Sequence, residues 1–223
     1  MATSSTTIDR EAWPAAAVGA VPALLAALTG HRRTALALAA LPVGIVAFFR
    51  DPQRSVDTTP VTDDLVLAPA DGKVMHAGPG QPGVAPPGDW QQISIFLSVF
   101  DVHINRTPYS GTVTDVTYRP GKWHAAYKFE SATENERSDI TIEHRPDGAD
   151  GPVRTVIFRQ IVGLVARRVV TRIAAGDRLR SGDRIGLMKF GSRMDVFVPP
   201  EVQLAVSKGD RTVAGETVLG RWR

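Results

Sequence analysis

The sequence changes character once, and that change limits every fold the chain can adopt. From Ala12 to Gly30, nineteen residues rich in Ala, Val and Leu pass without a charge. His31-Arg32-Arg33 interrupts. Sixteen more uncharged residues then run from Thr34 to Phe49, ahead of Arg50-Asp51-Pro52-Gln53-Arg54. As helices the two runs would reach about 28 Å and 24 Å, against a hydrocarbon core of ~30 Å. Pro22 and Pro42 sit mid-run, where lipid tolerates them better than water does. A cleaved secretory signal does not fit, because the basic residues follow the first apolar run and Asp9 and Glu11 precede it. Two buried soluble helices are the alternative. The preferred expectation is a membrane-associating helical hairpin over residues 1–50, with Arg32, Arg33, Arg50 and Arg54 toward anionic headgroups. Basic residues flank both ends of the second run, so the positive-inside rule assigns no orientation.

From Leu65 onward the texture is that of strands. Val66–Ala68, Ile93–Leu97, Thr112–Tyr118, Asp139–Glu143, Val153–Phe158 and Met194–Val198 are short β-branched or aromatic runs separated by Gly, Pro and Asp. Pro79–Gly88 reads as a hairpin-like Gly/Pro loop. Gly121–Ser138 is a long polar segment of the kind that carries function or moves. Ile161–Arg172 fits strand or helix equally. One motif repeats: Gly176-Asp177-Arg178 with Gly182-Asp183 returns 33 residues later as Gly209-Asp210-Arg211 with Gly215-Glu216. Glycines that turn with positive φ and acidic side chains that bind nearby amides predict two similar hairpins related by pseudo-symmetry. The expected fold is therefore β-rich α+β, a sandwich or barrel over residues 51–223 behind the N-terminal hairpin.

Composition removes many chemistries. With no cysteine there is no disulfide, thiolate nucleophile, Cys-bound zinc or iron–sulfur cluster. A net charge of +3 permits an anionic membrane surface and does not call for nucleic acid. No phosphate-binding glycine loop, GxSxG elbow or HExxH spacing is present, and no metal is expected.

Three constellations remain. Pro69-Ala70-Asp71-Gly72-Lys73-Val74 reads alone as a tight turn. In Asp101-Val102-His103-Ile104-Asn105-Arg106, an extended backbone would put Asp101, His103 and Asn105 on one face, where a His beside carboxylates acts as acid or base. Phe190-Gly191-Ser192-Arg193-Met194-Asp195 reads alone as a turn before a strand. Together with Phe48–Pro52, Asn135-Glu136-Arg137 and Gly163–Arg168, and in this order, they resemble the phosphatidylserine decarboxylases of the short prokaryotic type.

That resemblance implies a proenzyme that cuts itself between Gly191 and Ser192, leaving a large chain 1–191 and a small chain 192–223. Ser192 would become a covalent pyruvoyl cofactor, which takes the serine headgroup's amine as a Schiff base and accepts electrons as carbon dioxide leaves. It implies roles for Asp71 and His103 in serine activation or proton transfer. Longer family members carry a second His where this chain has Arg106. Arg106, Asn105, Arg167 and Arg168 are the candidates for the substrate's phosphodiester or carboxylate, since guanidinium forks suit oxyanions. The implied partner is phosphatidylserine in the cell membrane, met by a peripheral or monotopic enzyme on the cytoplasmic face, with homo-oligomerisation left open. Rival readings are a decarboxylase of another serine lipid, a serine hydrolase using Ser192, His103 and Asp71, and an uncleaved hybrid-fold binding module. The last lacks a Met-Lys-Met carrier motif; the chain has Leu187-Met188-Lys189-Phe190.

Overall fold

A computed structural model describes residues 6–57, 61–146, 151–164, 168–189 and 191–223. The chain divides into two compact units, 1–53 and 54–223.

In the first unit, β1 (Thr6–Ile8) pairs antiparallel with β2 (Arg50–Pro52). Between them lie α1 (Ala12–Leu28), α2 (Arg32–Leu38) and α3 (Ala40–Phe48). α1 packs along α2 and α3. Gly19 allows the close approach, for a Cβ there would run into Ile45. The second apolar run is thus two helices rather than one. The break at Ala39 precedes Pro42, whose ring excludes the helical bond to the Leu38 carbonyl. Pro22 is accommodated inside α1. No described helix is long and apolar enough to cross a membrane. The N-terminal helices do present an apolar surface: Val18, Leu28, Leu36 and Val43 are exposed.

The second unit is almost entirely β-structure. Its strands are β3 (Leu65–Leu67), β4 (Gly72–Pro79), β5 (Gln91–Leu97), β6 (Ile104–Arg106), β7 (Gly111–Arg119), β8 (Arg137–His144), β9 (Arg154–Val162), β10 (Val169–Thr171), β11 (Arg178–Leu179), β12 (Arg184–Met188), β13 (Ser192–Val198), β14 (Val202–Leu204), β15 (Arg211–Thr212) and β16 (Val218–Trp222), with one short helix, α4 (Ser131–Glu134). Eight of them form an antiparallel sheet in the order β11-β7-β8-β9-β13-β5-β4-β15, which curls into a half-barrel. Two three-stranded sheets, β10-β12-β6 and β14-β16-β3, contribute Ile185, Met188, Val66, Val202 and Leu219 to the same core as the large sheet's Ile93, Ile95, Ile140, Phe158, Met194 and Val196. The predicted β-rich α+β class is what the chain forms. Within Ile161–Arg172, Ile161 and Val162 end β9 and Val169–Thr171 form β10.

The repeat is a structural device. Gly176 donates to the Val113 carbonyl and Gly209 to the Val74 carbonyl, each at 2.8 Å. Asp177 accepts from the Ala174 amide and Asp210 from the Ser207 amide, each at 2.8 Å. β11 and β15 thereby occupy the two opposite edges of the large sheet and shorten both exposed edges. Gly182 and Gly215 adopt positive φ (87° and 73°), and a Cβ on either would strike Val56.

Candidate active site

Ser192 opens the strand at the heart of the half-barrel. It registers with Leu97 of β5 on one side and Val162 of β9 on the other. Its parity puts its side chain on the apolar inner face with Met194 and Val196. There the hydroxyl is fully buried and has no hydrogen-bond partner. Leaving a buried hydroxyl unpaired costs about 1–3 kcal/mol, so the site retains it for something other than stability.

Gly191, one residue earlier, sits at φ +73°, a left-handed conformation that favours glycine. The space about it is open, the nearest atom to an added Cβ being the Leu97 carbonyl oxygen at 3.9 Å. Backbone conformation and not crowding therefore selects glycine here. The opposite holds at Gly163, just past β9. Its backbone conformation is ordinary, but a Cβ there would collide with the carbonyl oxygen of Gly191. The bare Gly163 Cα is the seat on which the Gly191 carbonyl rests.

His103 meets Gly191 from its other side, at the peptide that precedes it. Its Nε2 accepts the Gly191 amide proton at 3.1 Å, and its Nδ1 donates to the Asp101 carbonyl oxygen at 3.0 Å. These two bonds fix the neutral tautomer with its lone pair toward residue 191. Asp101 thus orients the imidazole through its main chain and not through the carboxylate proximity that an extended strand would give. Strand β6 begins only at Ile104, and the Asp101 side chain turns back to close its own loop. Oδ2 accepts from the Ser98 amide (2.8 Å) and hydroxyl (2.7 Å), and Oδ1 accepts from Arg211 at 2.6 Å. Burial raises the Asp101 carboxyl, but the Ser98 hydroxyl and amide and the Arg211 guanidinium together outweigh it and hold it below the ordinary aspartate range.

Asp71 lies in the turn between β3 and β4. Arg54 grips its two oxygens at 2.9 and 2.8 Å, and the Ala214 amide donates to Oδ1 at 2.8 Å. Asp71 bonds neither His103 nor Ser192. The Asp71 turn is nevertheless tied to the site's scaffold, since the Arg106 amide donates to the Pro69 carbonyl at 2.9 Å.

The substrate-binding candidates separate. Asn105 is fully buried: its Oδ1 accepts from Gln160 at 2.9 Å, while its Nδ2 has no partner. Arg106, the next residue along β6, is also buried, and its Nη1 donates to the Gly182 carbonyl at 2.8 Å. Arg168 is exposed, and Arg167 lies outside the described residues.

Sequence reasoning missed the support of Asn105. Gln160 interrupts the inner apolar face Val156-Phe158-Gln160-Val162, and that broken alternation was the available signal. Its Oε1 lies 2.8 Å from the Thr171 hydroxyl, which lies 2.8 Å from Ser138 Oγ. The network leaves Asn105 Nδ2 without a partner, and Gln160, which holds Asn105, registers with Met194, two residues along β13 from Ser192. The long segment before β8 is anchored as well. Asn135 Nδ2 donates to the carbonyls of His124 and Val162, each at 2.8 Å.

What the arrangement can do chemically is limited and specific. A buried hydroxyl adjoins a glycine whose carbonyl, in the peptide to Ser192, is seated on bare backbone and whose own amide, in the preceding peptide, meets an imidazole lone pair. Such a site suits attack by a chain on itself. Comparisons with known proteins agree with that reading. The family model described as phosphatidylserine decarboxylase matches residues 44–220. The chain is 45% identical over 215 residues to a protein of Symbiobacterium thermophilum named phosphatidylserine decarboxylase proenzyme, covering 96% of this chain and 95% of the relative. Proteins with that name from Solibacter usitatus (43% over 212 residues; 93% and 92% covered) and Pelobacter propionicus (42% over 229 residues; 99% of each) are similarly close.

Proposed function

We propose a function on the premise that this chain belongs to the phosphatidylserine decarboxylase family: it converts phosphatidylserine to phosphatidylethanolamine and carbon dioxide after cutting itself between Gly191 and Ser192. The observation that carries this is the fully buried, unpartnered Ser192 hydroxyl beside Gly191, whose amide meets His103 and whose carbonyl is seated on Gly163.

The self-processing step needs only residues of this chain. Ser192 Oγ attacks the Gly191 carbonyl carbon and gives up its proton. The Gly191–Ser192 C–N bond breaks, the Ser192 nitrogen gains a proton, and an ester replaces the amide. His103 Nε2 is the base nearest the reacting peptide; it exchanges the Gly191 amide for the serine proton. Loss of the Ser192 α-proton then expels the Gly191 carboxylate and leaves a dehydroalanine, which water converts to ammonia and a pyruvoyl cap on Arg193. Residues at this position fit that group. The inner face is dry, with Leu97, Val162 and Met194 around the site, and the uncommitted Asn105 Nδ2 offers a proton to an oxygen. The pyruvoyl group supplies the electron sink that decarboxylation requires.

Asn105 is the donor for the substrate's carboxylate, and exposed Arg168 meets the phosphodiester at the mouth. Arg106 is spent on the Gly182 carbonyl and on its buried surroundings, so it acts as a strut for β6. Asp71 acts at a distance, holding the turn that takes the Arg106 amide. The exposed apolar residues of unit 1 seat the enzyme on the membrane peripherally or monotopically, where its substrate resides.

The experiment is a mass measurement on purified protein. The native chain should appear as two fragments, 1–191 and 192–223, the smaller with a blocked amino terminus. Ser192→Ala should remain one chain and release no carbon dioxide from phosphatidylserine. Activity in an intact single chain defeats the proposal.

A further inference from the structure

The second unit exposes few large apolar side chains, and they are not scattered. Among its described residues eight are exposed, and all but Val153 lie at the end of the large sheet where Ser192 begins its strand. Register makes this plain. Leu97 and Val162 both pair with Ser192, so the turns that follow them leave the sheet beside it. Val99 and Phe100 occupy the first turn and Leu164 the second. The segment entering β8 belongs to the same end, because Arg137 pairs with Ile161 and Asn135 binds the Val162 carbonyl. It carries Trp123, Tyr127 and Phe129, and Tyr127 packs edge-on against Phe96 of β5 with ring centroids 6.1 Å apart. Phe100 is 83% exposed, Tyr127 65% and Leu164 64%. Val153 is at the far end, before the first residue of β9.

Such a clustered apolar rim in water is unfavourable unless something covers it. We propose that this rim is a bilayer-docking surface of the catalytic unit itself, separate from the N-terminal helices, and that it seats the mouth of the Ser192 site on the lipid. This rests on the function proposed above. A headgroup must reach a fully buried residue while its acyl chains stay in the membrane, and a rim that enters the headgroup boundary lets both happen. The composition suits that depth. Trp and Tyr favour the interface, Phe and Leu reach below it, and exposed Lys128 and Arg168 meet anionic headgroups.

The test uses the full-length, self-processed enzyme, which has no cysteine to compete with a label. An environment-sensitive fluorophore is placed in turn at Phe100→Cys, Leu164→Cys and Val153→Cys, and vesicles of phosphatidylcholine and phosphatidylserine are added. Probes at 100 and 164 should shift to the blue and be quenched by a bilayer-borne quencher, and the probe at 153 should do neither. As a label-free measure, Phe100→Ser combined with Leu164→Ser should lower the ratio of activity on vesicle phosphatidylserine to activity on dispersed short-chain phosphatidylserine by about tenfold or more. The proposal is overturned if the probes at 100 and 164 stay silent on vesicle-bound protein, if 153 responds equally, or if both activities fall in step. A response that tracks protein concentration without lipid would mark a self-association face and overturn it too. Probes that respond in a protein that decarboxylates neither substrate would support the rim and overturn the function.

Discussion

The two ends of β13 are built to opposite rules. At the Val198 end the inner-face neighbours Ile93, Phe158 and Val196 are apolar, and the polar partner of Val198 is committed: Gln91 Nε2 donates to the Val202 carbonyl at 2.6 Å. At the Ser192 end two buried polar atoms, Ser192 Oγ and Asn105 Nδ2, lack partners, and the preceding glycine holds positive φ. One strand thus carries a stable half and a costly half. Sites that violate local rules are where function is expected, because the fold must over-determine them from elsewhere. Here the surroundings supply that support through the Asn135 anchor, the Asp101 loop and the strands on either side.

The comparison is broken most sharply by one substitution at each end. Gly163→Ala puts a methyl where the Gly191 carbonyl sits, and backbone on both sides cannot yield cheaply. Processing should slow by about a hundredfold or more, since a small misplacement of reacting atoms costs that much. The same clash should lower the thermal midpoint of the uncleaved chain in the Ser192→Ala background, so the rate is read in the fraction that folds. Ile93→Ala, opposite Val196 in the dry half, should spare the chemistry: a loss of about 2–5 kcal/mol in denaturant unfolding, with processing complete in the fraction that folds. If Gly163→Ala is cleaved at the normal rate, the seat assigned to Gly163 is wrong.

Much of this was legible beforehand. Alternation and punctuation mark β3, β5, β7, β8, β9 and β13 within a few residues, because strands buried on one face must alternate. The repeat's two similar turns were legible, because its glycines and acids encode turns locally; that they lead into the two edge strands of the large sheet was not. Positions that depend on distant partners were not legible. Asp101, His103 and Asn105 look like three residues of one strand, yet only Asn105 is in β6 and the Asp101 carboxylate serves Ser98 and Arg211. Asp71 looks like a relay partner, yet Arg54 takes it. The contact between Gly163 and Gly191 joins residues far apart in sequence, and no local pattern announces it. The second apolar run was misread as one helix because hydropathy does not report the bond that Pro42 forbids.

A milder test concerns how the costly half is held. Asp101→Asn removes the charge from the loop that presents His103. Charge-assisted bonds to Ser98 should make the loss about 2 kcal/mol, with little from Arg211, which is 66% exposed and screened. The sign follows from the depressed carboxyl. Its contribution is complete above the unfolded value of ~4 and is lost as pH falls through the lower folded value. The native protein should therefore lose stability on acidification below about pH 4 more steeply than Asp101→Asn does. Parallel pH profiles for the two proteins would remove Asp101 from the support of this end.

The smallest expected effect is also the most discriminating about why glycine precedes the serine. Gly191→Ala adds a methyl into open space, so nothing collides. The cost is conformational, about 1–2 kcal/mol for a left-handed alanine. If processing requires that left-handed backbone, this strain reappears as a barrier and the rate of fragment formation falls by about tenfold. A bulkier residue with the same backbone penalty, as in Gly191→Ser, should fall by a similar factor, because space is not what is limiting. A steep decline from Ala to Ser would instead assign the selection at residue 191 to crowding, and the contrast between the conformational glycine at 191 and the steric glycine at 163 would disappear.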